Sequence, residues 1–182
     1  MALDLSFRHD RWFRRLSRSP RDSGTVSLCV VRTGPGLRET PPALRVEPGR
    51  GVLGDAWARE EQPVAGAEVA LVNVHVLRAI AGSEERLPLA GDNLVVDLEL
   101  GEENLPIGTR LRIGEDVVLQ VSTVPHRPCG RFVRRFGALA AKRVARANRR
   151  GLRGRGVLCT VVRGGGIRVG DAIRVERCEA GS

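Results

Sequence analysis

Thr123-Val-Pro-His-Arg-Pro-Cys129-Gly-Arg-Phe-Val-Arg-Arg-Phe136 is the stretch around which the chain is organised. A strand-like apolar run, Val117 to Val124, leads into it, and a basic segment with helical spacing leads out. Prolines on the strand side fit a strand that stops there. Cys129 sits at the corner between Pro128 and Gly130, with His126, Arg127 and Arg131 close in sequence. A helix N-terminus and neighbouring cations both lower a cysteine's pKa, and the thiolate is the nucleophile or sulfur carrier. If Gly130 or Arg131 opens the helix, this corner offers both. A packed thiol in a turn is the competing reading, since free cysteines behave as small buried hydrophobes.

Working outward, the helical stretch predicts Phe132, Phe136, Leu139, Ala140, Val144 and Ala147 on one face, with arginines opposite. From Val117 to Gly170 there is no acidic residue, while 13 basic ones occur. Net charge is +9 and Lys142 is the only lysine, so the arginine excess reads as genome composition as much as selection. Its concentration around Cys129 nevertheless favours an anionic ligand or partner.

Upstream, Thr25–Arg32 reads as a strand with Cys29 in the core, and Thr33–Gly51, rich in Pro and Gly, as a long connection. Gly51-Val-Leu-Gly-Asp55-Ala-Trp57 reads as a structural turn. Ala67–Val72 reads as a strand. Asn73 is placed to cap a helix from Val74 to about Ala81, with Gly82 as its stop. His75 reads as structural. Gly91 to Leu100 combines a turn with an alternating strand that puts Leu94, Val96, Leu98 and Leu100 on one face. Two strands within Leu105–Val121 turn at Gly114-Glu115-Asp116. Val157–Val162, holding Cys159, and Ile167–Val175 complete the pattern. Residues 1–24 read as a basic leader with a short amphipathic helix, and residues 25–178 as one domain. The sum is six to eight short strands with two or three helices. The fold class is mainly β with peripheral helices, and closure into a barrel would remove exposed edges.

The composition narrows the function classes. Aromatics make up 3% of the residues, so the core is Val, Leu, Ile and Ala. Four cysteines without a C-x-x-C pair argue against a zinc ribbon or a dithiol, and no metal site is expected. No apolar run approaches the roughly 20 residues that span a bilayer. With no secretory pattern, a cytoplasmic setting with reduced thiols is expected.

The order of motifs resembles the MOSC domain family, named for the C-terminal domain of molybdenum cofactor sulfurases. The segments are Gly51-Val-Leu-Gly-Asp55, Gly91-Asp-Asn-Leu-Val-Val-Asp97, Leu105-Pro-Ile-Gly108, Leu111-Arg-Ile-Gly114, Pro125-His-Arg-Pro-Cys129, Arg153-Gly-Arg-Gly156 and Gly165-Gly-Ile-Arg-Val-Gly-Asp171. They cover roughly residues 50 to 176. The resemblance implies a MOSC-type β-barrel in which Cys129 matches the family's characteristic cysteine, a persulfide carrier or a contact of the molybdenum cofactor. It implies that Arg127, Arg131, Arg135, Arg155, Asn93 and Asp55 shape a site for the pterin phosphate or another anion. His126 and Arg127 would favour the thiolate, while Arg131 and Arg135 would attract the anion. Many members carry a histidine after the Gly-Asp pair, whereas this chain has Ala56 and Trp57.

A stand-alone sulfur carrier or molybdenum-cofactor-binding protein is the leading expectation. The chain shows no pyridoxal-phosphate domain, so pyridoxal phosphate is not expected on it, and a separate cysteine desulfurase would supply sulfur. The acceptor would be a molybdoenzyme or the pterin cofactor. Two alternatives stay open: an accessory to molybdoenzyme reduction of N-hydroxylated compounds, and a non-catalytic basic module binding nucleic acid or other anions. The nucleic-acid version lacks aromatics interleaved with the bases.

Overall fold

A computed structural model describes residues 12, 13 and 15–177. The expected helix in residues 1–24 lies mostly outside these, as does Cys178. Twelve strands run in chain order as β1 (Ser23–Cys29), β2 (Val31–Gly34), β3 (Leu37–Glu39), β4 (Ala43–Glu47), β5 (Gly51–Val52) and β6 (Val69–Asn73), then β7 (Leu94–Asp97), β8 (Arg110–Ile113), β9 (Val117–Val121), β10 (Val157–Arg163), β11 (Gly165–Arg168) and β12 (Ala172–Glu176).

Seven strands close a barrel in the order β1-β12-β8-β9-β10-β6-β7, with β7 returning to β1. The ladders are antiparallel except β6 with β7, which run parallel. A parallel neighbour requires a crossover. Helix α1 (Val74–Ala81) and a 3-10 segment, Glu84–Ala90, provide it. The barrel is therefore mainly β with its helices outside, as the sequence pattern predicts.

The period-2 alternation puts one face of each strand inward. Val26, Leu71, Leu94, Val96, Leu111, Ile113, Leu119, Val157 and Ile173 fill the interior, with Cys29 and Cys159 among them, all buried. Each such aliphatic side chain contributes about 1.5–3 kcal/mol by leaving water. Gly156 (φ +99) marks a place with no room: a Cβ there would lie 1.9 Å from the Leu71 carbonyl oxygen. β1 and β12 are neighbours, and the Val175 N–H donates to the Asp22 carbonyl, so the barrel's entry and exit strands lie side by side.

Helix α1 is capped as predicted. The Asn73 side chain accepts from the N–H groups of His75 and Val76, and Gly82 (φ +79) closes the last turn onto Arg78. His75 faces Asp97, Nε2 to Oδ1 3.3 Å.

Three expectations need correction. The strand foreseen over Thr25–Arg32 is two strands, β1 and β2, joined at Val30, where the backbone N–H turns to the Asn93 carbonyl. The long connection Thr33–Gly51 holds the end of β2 together with β3 and β4. Pro and Gly mark its turns, including Gly36 (φ +78) between β2 and β3. Finally, helix α2 (Gly130–Arg149) is interrupted at Gly137 (φ 86, ψ 164). Helical phase restarts there, so Phe132, Ala140, Val144 and Ala147 are buried while Leu139 is 54% exposed. Trp12, Phe13 and Leu16 pack against the cluster of Val76, Phe132, Ala140 and Val144.

Candidate functional site

Cys129 is the N-cap residue of helix α2 and is exposed. The first N–H groups of a helix have no intrahelical acceptor and carry partial positive charge. Partial burial pushes the Cys129 thiol up. The backbone N–H groups of Phe132 and Arg131 and the charge of Arg155 outweigh this, leaving its pKa below the ordinary value. Cys29 and Cys159 go the other way: burial pushes them up to about 11 and about 12. Of the described cysteines, only Cys129 combines access with thiolate character.

Behind it lies a buried bracing network. Arg155, 6% exposed, donates through Nη1 to both Asp92 oxygens at 2.7 and 2.6 Å, and through Nη2 to the Ala90 carbonyl at 3.2 Å. Its guanidinium covers the Phe132 ring at 4.9 Å. His126 Nδ1 stands 3.6 Å from Asp92, with the ring 12% exposed. Burial, with the charge of Arg155, pushes the His126 pKa down to about 3. This corrects the role expected of His126: the ring is neutral at ordinary pH, and Arg155 is the charge that favours the thiolate. Asn148 pins the corner, donating to the His126 carbonyl and accepting from the Arg155 N–H.

A second network is built on Asp55 and Asn93. Asp55 accepts from the side chain and N–H of Arg32, from the Trp57 N–H at 3.0 Å and from Asn93 Nδ2 at 3.2 Å. Burial raises its pKa, but bonding to Arg32 outweighs that and holds the carboxyl below its usual range. Asn93 Oδ1 accepts from the Ala70 N–H. Both side chains are 1% exposed and bonded inside the protein, so they support the site from beneath.

Above this floor the fold gathers arginines from distant parts of the chain. A Cβ at Gly91 would lie 3.5 Å from Arg38 Nη2 and 3.6 Å from Arg32 Cδ. Arg135 reaches the same loop, donating to the Leu89 carbonyl at 2.7 Å. Burial, then the charges of Arg135, Arg32 and Arg131, push the Arg38 guanidinium down. Arg32 has Asp55 as its counterion, but Arg38 Nε and Nη1 are buried with no hydrogen-bond partner. Arginine stays protonated in proteins, and a sheltered guanidinium without a counterion is costly. Arg131 and Arg127 are exposed, and Arg127 lines a groove on the other flank of the Thr123–Pro128 segment.

Of the expected residues, Cys129 feels the charge of Arg155, and Arg135 feels those of Cys129 and Arg131. Arg32, Arg38 and Asp92 were not singled out. Arg38 gave no signal, being one of many arginines in a stretch read as connection. Asp92 stood inside a quoted motif, but its partner is 63 residues away. Among the described residues no cluster of three or more His, Cys, Asp or Glu could hold a metal ion.

The model of the MOSC domain matches residues 64–174, well over half the chain. The chain belongs to the MOSC domain family. No curated protein matches it. Among solved structures, the MOSC chain is similar to the YuaD protein of Bacillus subtilis, at 18% identity over 86% of this chain and 97% of that one, TM-score 0.64. It is also similar to YiiM from Escherichia coli (19% identity, 86% and 72% covered, TM-score 0.54) and YiiM from Geobacillus stearothermophilus (15%, 87% and 77%, TM-score 0.57). At these identities the likeness is one of fold.

Proposed function

We propose that this MOSC-family protein is a sulfur carrier that works at an anionic ligand, the molybdenum cofactor being the ligand its family implies. The observation that carries the reading is Arg38: two buried guanidinium nitrogens without acceptors, in an arginine cluster facing a thiolate-favouring cysteine. The cofactor's pterin phosphate would supply the missing acceptors. Arg38, Arg131 and Arg135 would hold it, Arg32 being already committed to Asp55. Guanidinium forks suit phosphate through bidentate, charge-assisted bonds. When bound, the cofactor would supply a metal centre able to accept sulfur.

Cys129 has its own step. Its thiolate attacks the outer sulfur of a protein persulfide on a separate cysteine desulfurase. The donor's S–S bond breaks, a new S–S bond forms on Cys129, and the donor leaves as thiolate, so no oxidant is needed. The helix N-terminus and Arg155 favour the Cys129 thiolate, and neutral His126 stands aside from the proton balance. Asp55, Asn93 and Asp92 hold these groups in place.

The test is intact mass after incubation with a cysteine desulfurase and free cysteine. Gain of one sulfur, lost in Cys129→Ala and retained in Arg38→Met, is the expected result. No gain in the wild-type chain would remove the carrier role.

A further inference from the structure

The groove beside the Thr123–Pro128 segment encloses about 560 Å³ and is lined without Cys129. Its apolar side comes from Ile107, Val124, Pro125 and Ala145, with Arg127 and Arg149 among its charged lining. Glu102 is the one carboxylate there, and Arg153, whose guanidinium also donates to the Leu100 and Leu105 carbonyls, lines the groove with it. Ile107, which lines the groove, is 61% exposed.

Helix α2 extends this surface. Because Gly137 resets the helical phase, Leu139 points outward. Lys142 and Arg149 follow on the same face, three and ten residues on, and both are exposed. Lys142 and Arg149 are two turns, about 10 Å, apart along the axis. Neither they nor Arg127 makes an ion pair among the described residues, and no Asp or Glu occurs between Val117 and Gly170 to supply one from within this segment.

We propose that this face and groove dock an acidic segment of a partner protein, with one apolar side chain seated among Ile107, Val124 and Ala145. The cationic rim supplies charge complementarity and the groove supplies the anchor pocket. An extended segment gains about 3.3 Å per residue, so about five residues span the roughly 15 Å of helix from Leu139 to Arg149 at the groove. Nucleic acid fits less well. Single-strand binders stack bases on aromatic rings, and among the described residues no Phe or Trp is exposed or lines the groove. The docking is independent of Cys129 chemistry.

Fluorescence anisotropy at 0.15 M salt, on the order of physiological ionic strength, tests this with a fluorescein-labelled Glu-Asp-Leu-Glu-Glu-Leu-Glu-Asp peptide. Lys142→Glu/Arg149→Glu should weaken binding at least about tenfold. Arg45→Glu/Arg168→Glu, the same charge change on β4 and β11, should weaken it by about twofold or less. Replacing both peptide leucines by serine should weaken it too. Equal losses in the two double variants would reduce the surface to net charge and overturn the proposal. So would no binding by the wild-type chain, or tighter binding of oligothymidine that depends on Lys142 and Arg149.

Discussion

The barrel interior and the Cys129 corner bury side chains by opposite rules. Inside the barrel the buried cluster is made of aliphatic side chains and two thiols, and Cys29 and Cys159 are pushed towards the neutral form. At the corner, charged groups are sheltered and each is answered by a neighbour: Arg155 by Asp92, Arg32 by Asp55. Arg38 breaks that second rule. Barrel burial is a stability device that tolerates any well-fitting aliphatic. Corner burial sets electrostatic potential, and at Arg38 it leaves two guanidinium nitrogens without a hydrogen-bond acceptor.

The sharpest way to break this contrast is Asp92→Ala. It leaves Arg155 buried without its counterion and should cost about 3–5 kcal/mol. Denaturant unfolding measures it, and Asp92→Ala/Arg155→Met should recover much of the loss. A cost below 1 kcal/mol, on the order of an exposed pair, would mean that the pair is not sheltered.

Stability against pH should divide between the two regions. His126 is held at about 3, so the unfolded chain binds a proton that the folded chain refuses. Its contribution is present above the ordinary histidine value, near 6.5, and is lost as pH falls from there towards 3. Cys29 and Cys159, held at about 11 and 12, act at the other end. Their contribution is present below the ordinary thiol value and is lost as pH rises through that value towards 12. His126→Asn should flatten the acid arm alone, and Cys159→Ala the alkaline arm alone, in melting temperatures taken across pH.

The smallest effect belongs to Arg38→Met. Removing a cation with no counterion should change stability by no more than about 0.5 kcal/mol, or raise it. A loss above 2 kcal/mol in thermal unfolding, typical of a broken buried network, would mean that Arg38 is answered within the protein.

The sequence made the barrel legible because its evidence is local. Alternation in Leu94, Val96 and Leu98, the Gly114-Glu115-Asp116 turn and the Asn73 and Gly82 caps each declare themselves within a few residues. Cys129 at the head of helix α2 was legible for the same reason. The arginine site was not. Arg38 lies on a three-residue strand between prolines, and its relation to Arg135 exists only after the β2–β3 hairpin folds over Gly91. Charge type was visible throughout, but which arginines lack a counterion depends on contacts that no local pattern encodes. Leu139 shows the converse failure, where a clean helical period was read through a glycine that resets it.

The side-by-side placement of β1 and β12 bears on how this barrel can be used. Asp22 and Arg177, at the two ends of the barrel's path, form an ion pair. A short linker could therefore join them, and a new start could be opened in the exposed Glu115-Asp116 turn without breaking a barrel ladder. Circular permutation and domain insertion succeed where ends are close and the opened turn is exposed. The same geometry lets the barrel sit as a cassette in a loop of a larger chain.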